Sequence, residues 1–302
     1  MQSMTRKKIA MTANQILPQD SLVYKYLMLC FLYVTYQFRM RKQKSIIIEL
    51  PINGQCNLNC KGCLSFAPLA KSHHKYDLEV FKHDILRLAK INKGQGKIKF
   101  LALSGGEPLL NPEINEYIKF ARQSFPDIKL KIRTNGLLVP QMPDEFWDTC
   151  KEHNIEFMLP HYSAVDIKLS KNIIRNHGLN IGVPITGNTR KQMYYFPLSD
   201  KKSDKSYYKI CPQVNSGHVT ILNGKSYNCM PIAFVDILNE NFNLNFQTTA
   251  QDSIDIHSIS DINSIIDFAT KPTPFCKYCD YKNSKFGVRW GLSTHQISEW
   301  VR

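Results

Sequence analysis

The sequence has no apolar segment long enough to cross a membrane. Its most apolar stretch, Leu27 to Tyr36, is far shorter than the roughly 20 residues that a membrane-spanning helix needs. A basic run, Arg39 to Lys44, follows it. The stretch is therefore expected to form a helix that packs on the rest of the protein or rests on a membrane surface. Met1 to Gln15 lack the apolar core and cleavage site of a signal peptide, so a cytoplasmic location is expected.

Acidic residues are scarce relative to basic ones. The 302 residues include 39 Lys and Arg but only 25 Asp and Glu, which gives a formal net charge of +14. Such a surplus fits a nucleic acid, an anionic membrane surface or an anionic substrate such as a nucleotide-linked compound. It also fits solvated faces that aid solubility, so the charge alone does not decide between these possibilities. The length predicts one main domain with a small appendage.

Nine cysteines in a chain without an export signal indicate metal-binding or catalytic thiols rather than disulfides. Seven of them form two groups along the chain. The other two, Cys30 and Cys150, lie in apolar or helical surroundings without companions. We expect both to be buried free thiols.

Strands and helices alternate in the first two thirds of the chain. Ser45 to Leu50 is a β-branched run typical of a buried strand, and Asp77 is the predicted N-cap of the helix that follows. The alternation continues through helices near 112–125, 144–153 and 168–177 and strands near 97–103, 129–134, 155–159 and 180–184. This order predicts a parallel sheet with right-handed crossovers and ligand sites beyond the carboxyl ends of its strands.

After Pro184 the alternation fades. His218 to Leu222 and Lys225 to Asn228 flank Asn223-Gly224, a strong signal for a type I′ hairpin. Ser260 is the predicted cap of a short helix that ends near Thr270. We expect a small C-terminal α+β region.

The first cysteine group, Cys56-x3-Cys60-x2-Cys63, comes directly after the first predicted strand. Three soft thiolates on one loop suit an iron–sulfur cluster or zinc. Three ligands on a four-iron cluster leave one iron open, whereas structural zinc normally has four ligands. His73 or His74 could supply that fourth ligand, so the residues alone leave both possibilities open.

The turn Ser104-Gly105-Gly106-Glu107-Pro108 follows the second predicted strand. Paired glycines let main-chain amides approach a ligand, and the Glu107 carboxylate could pair with an ammonium group. A tight turn that leads into a helix is the alternative. Arg133-Thr134-Asn135-Gly136 follows the third strand at the same rim of the sheet.

Together these motifs resemble the radical S-adenosylmethionine (SAM) superfamily, over roughly Ile46 to Pro184. The resemblance implies an α/β fold, a partial (β/α)6 TIM-like barrel. It implies a [4Fe-4S] cluster on Cys56, Cys60 and Cys63, and SAM bound at the Gly-Gly-Glu-Pro turn. The implied SAM-binding residues are Ser104, Gly105, Gly106, Glu107, Thr134 and Asn135, with His161 and Ser163 on the same rim. One departure is Gly62, where many members have an aromatic residue.

The second cysteine group consists of Cys211, Cys229, Cys276 and Cys279. Four thiols could close around structural zinc. Their arrangement also resembles the twitch domain, a shortened SPASM domain that binds an auxiliary [4Fe-4S] cluster without an open iron. The expected organisation is an N-terminal helical extension (1–44), the barrel (45–190), and the twitch-like domain with a C-terminal tail (191–302).

The resemblance implies reductive cleavage of SAM and abstraction of hydrogen from a substrate, with a flavodoxin- or ferredoxin-type electron donor. Cys279-Asp280-Tyr281, Trp290-Gly291 and Ser298-Glu299-Trp300 look like a subgroup linked to surface-polysaccharide metabolism, which favours oxidation of a carbohydrate-type substrate. A phosphorylated substrate could pair with Arg133, Arg190 or Arg289.

Two alternatives remain at this point. One is a maturase that modifies a peptide or protein, although residues 1–45 lack the strand-rich pattern of a leader-binding module. The other is a zinc-stapled nucleic-acid-binding protein, which would contain zinc and lose affinity steeply with salt. The ordered motifs at the strand ends disfavour a nucleic-acid partner.

Overall fold

The computed structural model describes residues 45–160, 162, 165–182, 192–203, 211, 217–280 and 283–302, with residues 23, 26, 27, 30 and 34 of the N-terminal segment. It does not describe the side chains of 192–194 and 285–289. The predictions for His161, Ser163, Arg190, the Arg289 side chain and most of the N-terminal extension lie outside the described residues. Among the described helices, none combines the length and apolar character needed to span a bilayer.

The main sheet has eight strands in the order β5-β4-β3-β2-β1-β7-β8-β9, and β6 pairs with β10 in a second, two-stranded sheet. The run from β5 to β7 is parallel, while β8 and β9 are antiparallel. The two edge strands, β5 and β9, are not paired with each other among the described residues, so the sheet is open. The prediction of an α/β fold with a partial barrel is confirmed. The strands are β1 (Ile46–Asn53), β2 (Ile98–Gly105), β3 (Leu130–Arg133), β4 (Glu156–Met158), β5 (Asn180–Gly182), β6 (Gln192–Tyr195), β7 (His218–Leu222), β8 (Lys225–Tyr227), β9 (Ile254–Asp255) and β10 (Lys285–Arg289).

Six described α-helices accompany the strands. Those of the barrel follow β1 to β4 in turn, as the alternation predicts. The helices are α1 (Leu78–Asn92), α2 (Ile114–Ser124), α3 (Asp144–Glu152), α4 (Ile167–Asn176), α5 (Met230–Phe242) and α6 (Asn263–Ala269).

The main core lies between the sheet and the helices. Ile46, Ile48 and Leu50 of β1 are fully buried in the cluster that also contains Phe81 and Ile85 of α1. Each such side chain contributes about 2 kcal/mol when it is removed from water. Because side chains alternate along a strand, Glu49 lies on the opposite face, which we call the concave face. The helices therefore cover one face and leave the other for a site.

Local signals explain several element boundaries. The Asp77 carboxylate accepts hydrogen bonds from the main-chain N–H groups of Glu79 and Val80, which confirms its predicted role as the N-cap of α1. Asn223 and Gly224 have φ values of 49° and 75°, the left-handed backbone that a type I′ turn requires. The hairpin prediction is therefore confirmed.

The predicted Ser260 cap is wrong. Helix α6 begins at Asn263, three residues later. The carboxylate of Asp261 accepts a hydrogen bond of 2.7 Å from the Asn263 N–H, at the start of the helix. The N-cap position itself is Ile262, whose carbonyl accepts from the N–H groups of Ile265 and Ile266, and it forms no side-chain cap hydrogen bond.

Helix α5 was missed by sequence reasoning. It starts after Cys229, carries Pro231 in its first turn and ends at Asn243 in the left-handed conformation. Proline at a helix start is a recognisable signal. Its apolar residues form a second core with Phe275, Tyr278 and Trp300.

The C-terminal region is joined to the barrel through the main sheet. Strand β7 pairs in parallel with β1, so residues placed in a second region by the sequence continue the first sheet. Buried Asp84 of α1 accepts a hydrogen bond of 2.6 Å from the Gly224 N–H and contacts the His257 ring at 2.6 Å. The division predicted near residue 190 falls between described segments and remains a prediction.

Candidate active site

The loop after β1 brings three thiols close together. Asn59 and Gly62 have φ values of 47° and 67°, and these left-handed residues turn the chain back on itself. The Cys63 N–H donates to the carbonyl of Cys60 at 3.3 Å. Cys56, Cys60 and Cys63 pack in one small cluster together with Leu58 and Tyr162. The structure therefore places the three predicted ligands together.

Polar groups lie close to each of the three sulfur atoms of this loop. The Asn135 side-chain amide lies 3.6 Å from Cys56 Sγ, and the indole N–H of Trp290 lies 3.2 Å from Cys60 Sγ. The Ser65 hydroxyl lies 3.3 Å from Cys63 Sγ. Hydrogen bonds to cysteine sulfur stabilise the electron-rich thiolates that hold an iron–sulfur cluster.

Burial and mutual repulsion set the protonation of these thiols. Burial, with smaller contributions from the charges of the neighbouring cysteines, raises the pKa of Cys56 to about 11 and that of Cys60 to about 12. In the absence of a metal these thiols hold their protons. A bound metal would displace those protons and supply the positive charge that makes neighbouring thiolates tolerable.

The Gly-Gly-Glu-Pro turn packs against the start of the same loop. A Cβ at Gly105, whose φ is 132°, would lie 2.0 Å from the carbonyl oxygen of Asn53, and one at Gly106 would lie 2.2 Å from that of Gln55. The Gly106 N–H donates to Asn53 and the Glu107 N–H to Gln55, at 2.6 and 2.8 Å. Both glycines are required because two main chains touch there.

Glu107 is held between two turns of the rim. Its carboxylate is completely buried and accepts hydrogen bonds from the Thr134 hydroxyl at 2.7 Å, the Leu109 N–H at 3.1 Å and the Asn135 N–H at 2.7 Å. Burial raises the pKa of Glu107 to about 7, while these hydrogen bonds act to lower it. Oε2 accepts only one of these hydrogen bonds, so the contact of Glu107 with an ammonium group stays a prediction. The Glu107 carboxylate joins the turn after β2 to the turn after β3.

The remaining predicted SAM-binding residues meet at this rim. Asn135 donates to the side chain of Asn57 at 2.8 Å as well as lying beside Cys56. Ser104 is buried, and its hydroxyl oxygen has no hydrogen-bond partner among the described residues. A buried hydroxyl without a partner costs free energy unless a ligand supplies one. The rim therefore fits a polar ligand such as SAM next to the cysteine loop.

The four cysteines of the second group also lie near one another. Burial raises the pKa of both Cys229 and Cys279 well above the usual value for cysteine, and the charges of Cys211 and Cys276 raise it further. The Thr273 N–H lies 3.5 Å from Cys276 Sγ. Cysteines from three separate segments thus lie close enough for their charges to act on one another.

The spacing of the sulfur atoms bears on the metal. Among the described residues, neither cysteine group has three Sγ atoms that all lie within 4.8 Å of one another. Four sulfurs at 2.3 Å from one tetrahedral zinc would be about 3.8 Å apart. His73 and His74 do not complete the first group, because both lie beside Glu240, at 3.8 and 3.6 Å. The wider spacing favours a multi-iron cluster over a single zinc ion.

The C-terminal tail covers the cysteine loop, which sequence reasoning missed. Lys61 N–H donates to Gly291 at 2.9 Å, and Ser293 N–H donates to Asn59 at 2.8 Å. The indole N–H of Trp300 donates to the carbonyl of Cys63 at 3.0 Å. The available sequence signal for this contact was the presence of Trp290 and Trp300 near the end of the chain.

No disulfide joins any of the nine cysteines, all of which the structure describes. Cys150 is fully buried, as predicted. The prediction that Cys30 is buried is wrong, because its side chain is exposed. An apolar sequence neighbourhood does not by itself show what covers a residue.

Comparison with known proteins identifies one family. Residues 50–179 match the model of the Radical SAM superfamily. The GTP 3′,8-cyclase of Clostridium acetobutylicum is 34% identical over 98 residues, which is 32% of this chain and 29% of the cyclase. The FeMo cofactor biosynthesis protein NifB of Methanocaldococcus jannaschii is 26% identical over 132 residues, 42% of this chain and 43% of NifB. The chain thus spans less than half the length of these curated relatives.

Solved structures give weaker similarities. BtrN in complex with AdoMet and 2-DOIA aligns with a TM-score of 0.49 and 14% identity, over 85% of this chain and 98% of BtrN. Native anSMEcpe with bound AdoMet aligns with a TM-score of 0.36 and 15% identity, over 45% of this chain and 42% of anSMEcpe.

Proposed function

Residues 50–179 are a radical SAM domain of an enzyme, and from that premise we propose that the protein cleaves SAM reductively and removes a hydrogen atom from a carbohydrate-type substrate. The observation that carries this proposal is the three-thiol loop tied to the SAM-binding rim through Asn135, which contacts Cys56. When bound, the [4Fe-4S] cluster and SAM supply a 5′-deoxyadenosyl radical at this rim.

The chain's own residues have separate tasks in this proposal. Cys56, Cys60 and Cys63 hold the cluster and leave one iron for SAM. Gly105 and Gly106 keep the rim close to the loop, and Glu107 fixes the position of Thr134 and Asn135. Ser104 offers a hydroxyl to SAM. Trp290 and the rest of the tail cover the loop and keep water from the sulfur atoms.

The substrate class is the finer part of the proposal. The concave face carries the polar side chains of Glu49, Arg133 and Thr220 among apolar ones such as Ile47 and Met158. A polar face binds a substrate with many hydroxyl groups better than an apolar one, because its buried polar atoms find partners there. A carbohydrate-type substrate, such as a nucleotide-linked sugar, meets this description.

The second cysteine group is proposed to hold an auxiliary [4Fe-4S] cluster. Cys211, Cys229, Cys276 and Cys279 provide four ligands, so all irons of that cluster would have protein ligands. A cluster closed in this way cannot bind substrate directly.

The remaining proposals concern partners and location. A flavodoxin- or ferredoxin-type protein is the proposed electron donor, and the net charge of +14 favours an acidic carrier. We propose a cytoplasmic location, where such donors and SAM are found. Contact of the N-terminal segment with a membrane surface remains a prediction.

The test is transfer of substrate hydrogen. Purified, reconstituted protein is incubated without oxygen with SAM, dithionite and nucleotide-linked hexoses that carry deuterium on their ring carbons. Deuterium in the 5′-deoxyadenosine is the expected result. Protein with a full complement of iron that forms no 5′-deoxyadenosine would contradict the proposed function, and cleavage without deuterium transfer from any hexose would contradict the substrate class.

A further inference from the structure

A buried carboxylate and a partly exposed guanidinium form an ion pair on the concave face. Glu49 of β1 is only 3% exposed, and its Oε1 lies 2.5 Å from Nη2 of Arg133 at the end of β3. His218 Nε2 lies 3.7 Å from the same carboxylate oxygen. Since Ile48, Leu50 and Ile132 belong to the core on the other face, this pair is not part of the packing that holds the helices.

The pair is only half satisfied. Glu49 Oε2 and Arg133 Nε are both buried, and neither has a hydrogen-bond partner among the described residues. Leaving a buried charged group without partners costs more than a neutral one would, so such atoms are rare in folded proteins. One ion pair therefore contains both an unfilled acceptor and an unfilled donor.

The pair also lies near the cysteine loop. Arg133 directly precedes Thr134 and Asn135, and Asn135 contacts Cys56. Partly buried Tyr162 lies close enough to Arg133 and to the three loop cysteines for all their charges to act on its hydroxyl. A ligand on the Glu49–Arg133 pair would thus lie beneath the rim where the radical forms.

We propose that Glu49 and Arg133 form the subsite that binds hydroxyl groups of the substrate. A hydroxyl donates its hydrogen to Glu49 Oε2, and the same or an adjacent oxygen accepts from Arg133 Nε. This inference rests on the proposed function and names its substrate chemistry more closely: neighbouring hydroxyls of a sugar ring.

Charge decides between hydroxyls and phosphate at this position. The carboxylate of Glu49 neutralises the guanidinium of Arg133, and a phosphate would meet the negative carboxylate at short range. The earlier expectation that Arg133 pairs with a phosphate is therefore replaced. Any phosphate of the substrate must bind elsewhere.

A matched control exists on the same face. Glu156 pairs with Lys131 at 2.5 Å, and it lines a cavity with Lys129 and Asn180 near the amino ends of the strands, away from the rim. Glu49→Gln and Glu156→Gln each remove one carboxylate charge from an ion pair of the concave face. Only the first removes the proposed ligand contact.

The experiment is anaerobic isothermal titration calorimetry of the reconstituted, SAM-loaded protein with UDP-glucose, glucose, UDP and inorganic phosphate. We expect UDP-glucose and glucose to bind the wild type, and Glu49→Gln to weaken both by about tenfold or more, the effect of losing a hydrogen bond to a charged group. Glu156→Gln should bind like the wild type. Iron content and the melting temperature of each variant show whether it is folded. If Glu49→Gln is not folded, Arg133→Gln is used to repeat the test.

Three results would overturn the subsite: equal binding by Glu49→Gln and Glu156→Gln, displacement of glucose by inorganic phosphate, or no binding of any glucose compound to the wild type. Cleavage of SAM is measured on the same samples. If cleavage persists while the binding prediction fails, only the subsite is wrong, whereas a wild type that binds glucose but never cleaves SAM contradicts the proposed function alone.

Discussion

The two cysteine sites differ in how the chain supplies their ligands and what surrounds them. Cys56, Cys60 and Cys63 come from one loop, and polar groups of Asn135, Trp290 and Ser65 lie close to their sulfur atoms. The second site draws its four cysteines from three segments, and one of them, Cys229, packs against the core built on α5. There, burial is the main reason why the pKa values of Cys229 and Cys279 are raised.

The difference teaches which site can react. A loop with three ligands leaves a metal position open, and the hydrogen-bond donors around it adjust the electronic character of the sulfurs. Four ligands from distant segments close their metal and tie those segments together. The first site is built for chemistry at an open iron, and the second is built to join parts of the chain.

The largest expected effect comes from removing either site. Replacement of Cys56, Cys60 and Cys63 by alanine should abolish 5′-deoxyadenosine formation while the chain stays folded, because one loop loses its ligands. Anaerobic assay of 5′-deoxyadenosine and far-UV circular dichroism measure the two properties.

The matching change at the second site should act mainly on stability. Replacement of Cys229 and Cys276 by alanine should lower the melting temperature, because bound metal contributes folding free energy. SAM cleavage without substrate should persist in whatever fraction folds. If the first variant unfolds and the second does not, the assignment of roles to the two sites is reversed.

The next largest effect is expected from Glu107, which holds the two turns of the rim together. In Glu107→Gln the side-chain amide, whichever way it turns, presents an NH₂ group to the main-chain N–H of either Leu109 or Asn135. One buried N–H then lacks an acceptor, so we expect a loss of about 2 kcal/mol in the free energy of unfolding. Denaturant unfolding measures it, and Glu113→Gln on the exposed side of the same segment should change it little. A neutral result at Glu107 would mean that this carboxylate does not join the two turns.

These residues show what the sequence could predict. The alternation of strands and helices, the cysteine spacing and the Asn223-Gly224 turn each act over a few neighbouring residues, so they could be identified locally. The pairing of residues 59–61 with the tail and the contact of Trp290 with Cys60 join positions more than two hundred residues apart. No local pattern encodes such pairs. Ser260 failed as a cap because the helix starts three residues later, after Ile262.

The smallest expected effect concerns the sulfur of Cys60. In Trp290→Phe the indole N–H is lost while an aromatic ring remains, and the cluster loses one hydrogen bond to its sulfur. Such a bond stabilises the reduced, more negative state, so its loss should lower the reduction potential by about 40 mV, equivalent to about 1 kcal/mol. Redox titration followed by electron paramagnetic resonance measures the potential. Trp300→Phe, whose indole binds a carbonyl instead of a sulfur, is the control, and equal shifts in both variants would contradict this role.

The most direct test of the two-site account is the amount of iron, sulfide and zinc per chain in protein purified and reconstituted without oxygen. We predict about eight irons in the wild type and about four in both the Cys56/Cys60/Cys63 alanine variant and a Cys229/Cys276/Cys279 alanine variant. Stoichiometric zinc with little iron in the wild type would contradict the account.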